Sequence, residues 1–215
     1  MHTKIISFSS EDNIEEAIKF ASNLIDEGEI IAFPTDTLYG LGCNAFDERA
    51  IRKLYKLKNR DLSKPINVLI GSEKQLSDIT DRNLSITKEL TKEFWPGDLT
   101  LILNKNQNVP DILTAGLKTI GVRMPNNEAT LRMISEIGKP LAATSANISG
   151  KPSITNAKQI LEYFDKKIPL ILDGGESEIG EESTIISLIT TPPKILRQGS
   201  LSIEKLKKII HNLEV

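Results

Sequence analysis

The chain has one cysteine, Cys43, in 215 residues. A lone thiol excludes an internal disulfide framework and any cysteine-based zinc site. Its neighbours Gly42 and Asn44 supply neither acid nor base, so Cys43 is expected to be a small core filler. Histidine is almost as scarce: His2 and His211 stand near the two ends. That placement argues against a Ser–His triad and against a His-ligated metal centre, so no metal ligand is expected from side chains. Aromatics make up only 5%, and no basic stripe carries aromatics between its cations, which weighs against a dedicated RNA-binding surface. The formal net charge is −2, so any cationic site must be local and balanced elsewhere. No apolar run approaches the ~20 residues of a membrane span. The opening MHTKIISFSS lacks a basic region followed by a long apolar stretch, so no secretory signal is visible and the cytoplasm is the expected location. A GxxxxGK[ST] loop is also missing. Gly40 and Gly42 start a dinucleotide fingerprint but lack its third glycine and the helix at the required spacing.

What is present fits a globular domain. At 39% apolar and 26% charged the composition is ordinary, and a chain of this length buries roughly 70% of its unfolded surface. Without repeats, low-complexity tracts or a linker, one domain over 1–215 is expected. Strands are expected at 4–8, 29–33, 66–70, 99–103, 119–124, 140–143, 170–172, 184–189 and 194–197. Helical periodicity marks 14–25, 47–57, 84–94, 127–137, 155–164 and a closing helix from Ser202 through Leu213, with a short helix after Ser72. Two strand pairs follow each other without a helix, 99–103 with 119–124 and 184–189 with 194–197. The fold class is therefore α/β with a mixed sheet, not a pure doubly wound parallel one.

Polar residues collect at the strand ends, where open α/β sheets bind ligands. The richest stretch is Phe33–Lys64. It combines a turn with Pro34, Thr35, Thr37, Tyr39, Gly40 and Gly42, a helix, and the cations Lys56, Lys58, Arg60 and Lys64. Arg123, Ser145, Asn147, Ser183 and Arg197 follow at other strand ends. With no histidine base, this set suits chemistry done by positioning and charge stabilisation, such as nucleotidyl or phosphoryl transfer. Lys58 and Arg60 are candidates to neutralise a triphosphate.

Eight segments then stand together in order: Phe33–Gly42, Lys58-Asn59-Arg60, Trp95–Thr100, Val122–Pro125, Ser145–Gly150, Asp173-Gly174-Gly175, Glu182-Ser183-Thr184 and Leu196–Gly199. In these, over a core of about 5–210, the chain resembles the YrdC-like family, and within it the synthase-type members. The resemblance implies a twisted open sheet flanked by helices, with a concave, positively lined cavity. It implies a nucleotidyltransferase that makes threonylcarbamoyl-AMP and pyrophosphate from L-threonine, bicarbonate and ATP, with Mg²⁺ accompanying the ATP. Threonylcarbamoyl transferase proteins would then modify the tRNA adenosine beside the anticodon.

Residue by residue, the resemblance implies threonine binding by Thr37, Arg123, Ala143 and Ser183. It implies ATP binding by Arg60, Lys64, Thr119, Ser145, Ser153 and Arg197. Lys58, Arg60, Ser145 and Asn147 match the synthase signature. The chain departs from the family pattern at Asp61, Lys64, Leu69, Asp98 and Thr144, and it resembles the short, single-domain form. An RNA-binding factor and a non-synthase paralogue are the alternatives. Weak RNA contact is compatible with either enzyme or factor, and no membrane partner is expected.

Overall fold

The structure is a computed structural model that describes residues 2–9, 14–81, 85–148 and 154–215. In chain order its elements are β1 (Lys4–Ser7), α1 (Ile14–Asp26), β2 (Ile31–Phe33), β3 (Gly40–Asn44), α2 (Glu48–Lys58), β4 (Asn67–Leu69), α3 (Glu73–Ile79), α4 (Ser85–Phe94), β5 (Leu99–Asn104), β6 (Thr119–Arg123), α5 (Glu128–Ile137), β7 (Leu141–Ser145), α6 (Ala157–Phe164), β8 (Leu170–Asp173), β9 (Thr184–Ser187), β10 (Lys194–Arg197) and α7 (Ile203–Lys207). The strands form one open sheet in the order β1-β8-β2-β3-β7-β4-β6-β5-β9-β10. Four pairs are parallel (β1 with β8, β2 with β8, β4 with β6, β5 with β9) and the other five are antiparallel. The mixed α/β sheet expected from the sequence is the sheet observed.

Local chemistry sets the element ends. Asp47 caps α2 by accepting from the backbone N–H groups of Arg49 and Ala50, as expected of an N-cap aspartate. Asn59 closes the same helix in the left-handed conformation, φ 51°, which asparagine tolerates better than most residues. Ser72 caps α3, and Gly138 ends α5 at φ 70°. α6 begins at Ala157, two residues later than expected, because Asn156 caps it: its side chain accepts from the Gln159 N–H at 3.0 Å. Ser10, Asp12 and Asn13, which the sequence offers as caps for the first helix, lie outside the described residues.

Two further expectations are corrected. Gly40–Asn44 is a strand, where the turn was expected to run through Gly42. It pairs with β2 on one side and β7 on the other. Its glycines make room for a ring: a Cβ on Gly42 would stand 2.7 Å from Phe33 Cε1. The closing helix is also shorter than expected. α7 ends at Lys207, and the chain turns back so that Glu214 pairs with Lys194.

Strand alternation divides the core between the two sheet faces. Ile31, Phe33, Leu69, Leu141, Ala143, Leu170 and Leu172 point to one face and pack under α1 and α5. Ala32, Leu41, Cys43, Val68, Ala142 and Ile171 point to the other, with the remaining helices. Cys43 is the core filler expected. Burial pushes its thiol up to about 12, which leaves it inert.

Candidate active site

α1 and α5 cover only part of their face. Beyond them the same face carries small or hydroxyl residues: Gly40 on β3, Asn67 on β4, Thr100 on β5, Ala143 and Ser145 on β7, with Ser183 just before β9. These leave a cleft of about 180 Å³ over the central strands. Thr35, Thr37, Arg60, Leu69, Arg123, Glu182 and Arg197 complete its walls.

The turn after β2 supplies one wall and is held from several sides. Thr130 Oγ1 on α5 donates to the Pro34 carbonyl at 2.8 Å. Thr35 Oγ1 accepts from the backbone N–H groups of Thr37 (3.2 Å) and Leu38 (3.1 Å), a local hydroxyl-to-backbone turn. The N–H groups of Ile179 and Gly180 donate to the carbonyls of Asp36 and Thr37, both at 3.0 Å. Thr37 is thereby presented to Arg123 at the end of β6.

Arg123 is buried and fully engaged on its inner side. Nε donates to the Gly97 carbonyl at 2.8 Å, Nη1 to Thr37 Oγ1 at 2.6 Å, and Nη2 to Asp36 Oδ1 at 2.5 Å. The ion pair is nearly solvent-free, with the Asp36 side chain 3% exposed. Burial lowers the Arg123 proton affinity and the neighbouring Asp36 restores part of it. Asp36 Oδ2 has no hydrogen-bond partner among the described residues. Two of the five guanidinium N–H donors of Arg123 are not used by these bonds.

On the opposite wall, Arg197 Nη1 donates to Glu182 Oε2 at 2.6 Å, while Nε and Nη2 donate to the Ser183 carbonyl at 3.1 and 2.9 Å. Ser183 Oγ is also 2.8 Å from Thr100 Oγ1. Arg60 folds over the turn that follows α2 and donates to the carbonyls of Lys64 (3.2 Å) and Pro65 (2.8 Å). Burial lowers its proton affinity; Tyr55 and Glu182 act in the other direction.

Lys58 stands behind the cavity wall at 1% exposure. Its ammonium donates to the Ser145 carbonyl, to Thr144 Oγ1 at 3.1 Å and to Asn147 Oδ1 at 3.0 Å. Three acceptors match its three protons. Burial first, and the Arg60 charge second, push its amine down to about 7. Ser145 Oγ donates to the same Asn147 oxygen at 2.7 Å. Lys58 therefore fixes the turn after β7 from beneath.

Of the site residues singled out in the sequence, Thr37, Arg60, Arg123, Ala143, Ser145, Ser183 and Arg197 line this one cleft. Lys58 and Asn147 are joined to it through Ser145. Lys64 is exposed and meets Arg60 through its carbonyl. Thr119 lies at the far end of β6, opposite Asn104, and does not line the cleft. Ser153 lies outside the described residues.

Asp36 and Glu182 partner two of the three arginines at the cleft, so much of the positive charge that the resemblance implies there is balanced. Neither acid was assigned a role from the sequence. Each lies beside a singled-out residue, Thr37 or Ser183, and that adjacency was the available signal. Among the departures from the family pattern, Leu69 forms cleft wall, Thr144 receives Lys58, Asp61 caps its turn at Ser63 and Asp98 receives Ser200 Oγ. Among the described residues no group of three or more His, Cys, Asp or Glu is placed to hold a metal ion, and no helix is long and apolar enough to cross a membrane.

Comparison with known proteins gives a consistent picture. The family profile of Sua5, YciO and YrdC, described as "Telomere recombination", matches residues 23–199. A Pyrococcus abyssi protein named threonylcarbamoyl-AMP synthase is 44% identical over 211 residues, covering 98% of this chain and 62% of the relative. A Bacillus subtilis protein of the same name is 43% identical, covering 91% of this chain and 57% of the relative. The chain thus spans about three fifths of the length of these two relatives. Among solved structures, P. abyssi Sua5 complexed with L-threonine superposes with a TM-score of 0.95 at 43% identity, over 99% of this chain and 62% of that one.

Proposed function

We propose, since this chain belongs to the Sua5/YciO/YrdC family, that it is a threonylcarbamoyl-AMP synthase, a nucleotidyltransferase that joins L-threonine, bicarbonate and ATP with release of pyrophosphate. One observation carries the proposal: residues from six separate segments, Thr37, Arg60, Arg123, Ala143/Ser145, Ser183 and Arg197, line a single cleft. The threonine half is the Thr37–Arg123–Ser183 side. A planar guanidinium with donors to spare suits a carboxylate, and its other donors are already seated on Gly97, Thr37 and Asp36. The nucleotide half is the Arg60–Ser145–Arg197 side, where fixed cations meet the charge that develops on phosphate oxygens. Lys58 and Asn147 hold Ser145 in register with that half. Mg²⁺ enters with ATP as part of the substrate.

The product would pass to threonylcarbamoyl transferase proteins that modify tRNA, in the cytoplasm. The test is direct. Purified protein with threonine, bicarbonate, Mg²⁺ and ATP should release pyrophosphate, and omitting threonine should abolish the release. Absence of threonine-dependent pyrophosphate would overturn the assignment. Arg60→Ala is expected to impair ATP use most, raising the KM for ATP by at least about tenfold while threonine binding persists, since a charge-assisted contact is worth ~1.5–3 kcal/mol.

A further inference from the structure

We propose that Glu182 is a specificity-determining residue of this cleft: an internal counter-ion that occupies the anion seat of Arg197 and must be displaced by incoming phosphate. The inference rests on the nucleotide half of the proposed synthase site. Glu182 lines the cleft together with Arg60 and Arg197. Its Oε2 accepts from Arg197 Nη1 at 2.6 Å, while the other Arg197 contacts go to neutral oxygens of Ser183. Its negative field also reaches Lys58 and Arg60, favouring their charged forms. One carboxylate therefore acts on three cations, two at the C-terminal end of α2 and one on β10.

Its backbone is fixed, since the Ser200 N–H donates to the Glu182 carbonyl at 3.1 Å. Its side chain is 47% exposed, so the carboxylate can turn to solvent while the wall stays in place. Asp36, by contrast, is buried with Arg123 and absent from the cleft lining.

The consequence is discrimination between anions. A singly charged anion that replaces Glu182 exchanges one negative charge for another and gains little. A polyphosphate brings enough charge to engage Arg197 and Arg60 together. Glu182 therefore keeps the carboxylate of the amino acid off Arg197 and directs it to Arg123, where the inner donors are held but the seat itself is not filled from the cleft.

The test is calorimetric titration of inorganic pyrophosphate into the wild type, Glu182→Gln and Glu182→Asp, at low and at high salt. Glu182→Gln should bind pyrophosphate about 3- to 10-fold tighter at low salt, and the gain should shrink as salt screens the site. Glu182→Asp, which keeps the charge, should stay near wild type, and in Glu182→Gln acetate should compete with pyrophosphate, as it does not in wild type. Equal or weaker pyrophosphate binding by Glu182→Gln would overturn the counter-ion role while leaving the nucleotide site in place. If no form of the protein binds pyrophosphate or ATP, the nucleotide assignment falls and the inference falls with it.

Discussion

Arg123 and Lys58 show how one residue type of charge is held in two ways. Arg123 has a carboxylate partner, so removing either member leaves a buried charge alone. Arg123→Ala should cost about 3–5 kcal/mol of stability, read from denaturant unfolding, and should also weaken threonine binding. Arg123→Lys keeps a charge but not the fork. It should retain most of the stability and still lose threonine affinity by at least about tenfold, because a point charge does not reproduce bidentate recognition.

Lys58 has only neutral acceptors, and burial pushes its amine down to about 7. The sign follows from proton counting. Between about pH 7 and the unfolded value of 10.5, the unfolded chain binds more protons at this position than the folded one. Stability contributed through Lys58 therefore rises with pH across that window. In Lys58→Met the rise disappears. Urea unfolding at pH 7 and pH 9 should show wild type gaining on the order of 2 kcal/mol relative to the variant. An identical pH response in the two proteins would mean that Lys58 titrates normally.

At the scale of elements, β3 is the informative case. Two glycines, a proline and three hydroxyl residues around it read as a loop, because glycine carries little strand signal. The strand exists because its neighbours on both sides are strands and because Phe33 fills the space that side chains at 40 and 42 would take. Gly42→Ala should therefore destabilise the fold by about 1–3 kcal/mol through overpacking against a fully buried ring, measurable as a lowered denaturation midpoint. The helices α1, α2 and α5 were legible because their buried stripes repeat at helical spacing, and α2 and α5 carry local caps. So were the antiparallel neighbours β5 and β6. The charge pairing of the cleft was not legible. Asp36 meets Arg123 across the sheet, through a strand order that no local pattern encodes. Lys58 in turn reads as one more surface cation at a helix end, and only the return of β7 beneath it buries it.

At the scale of the molecule, the cleft draws its walls from β3, β7, β4, β6, β5 and the residues before β9, so filling it ties the two halves of the sheet together. Ligands that bind only the folded chain stabilise it by mass action. Threonine with ATP at about 100 times their dissociation constants should add about 2.7 kcal/mol per site, a Tm rise of roughly 5–10 °C for a chain of this size. In Arg123→Lys the threonine-dependent part of that rise should fall by about half or more, and the ATP-dependent part should remain. Retention of both would remove Arg123 from the threonine site.

The sheet order also has a temporal side. β8 lies between β1 and β2, and Lys4 of β1 pairs with Leu170 of β8. These partners are about 165 residues apart, so at ~5–20 residues per second of synthesis the first strand waits roughly 8–30 s for its neighbour. Throughout that interval β1 has no strand partner, and the apolar strand β2 is paired only on its β3 side. Ribosome-bound chains that stop short of β8 should therefore be the forms of this protein most dependent on chaperones.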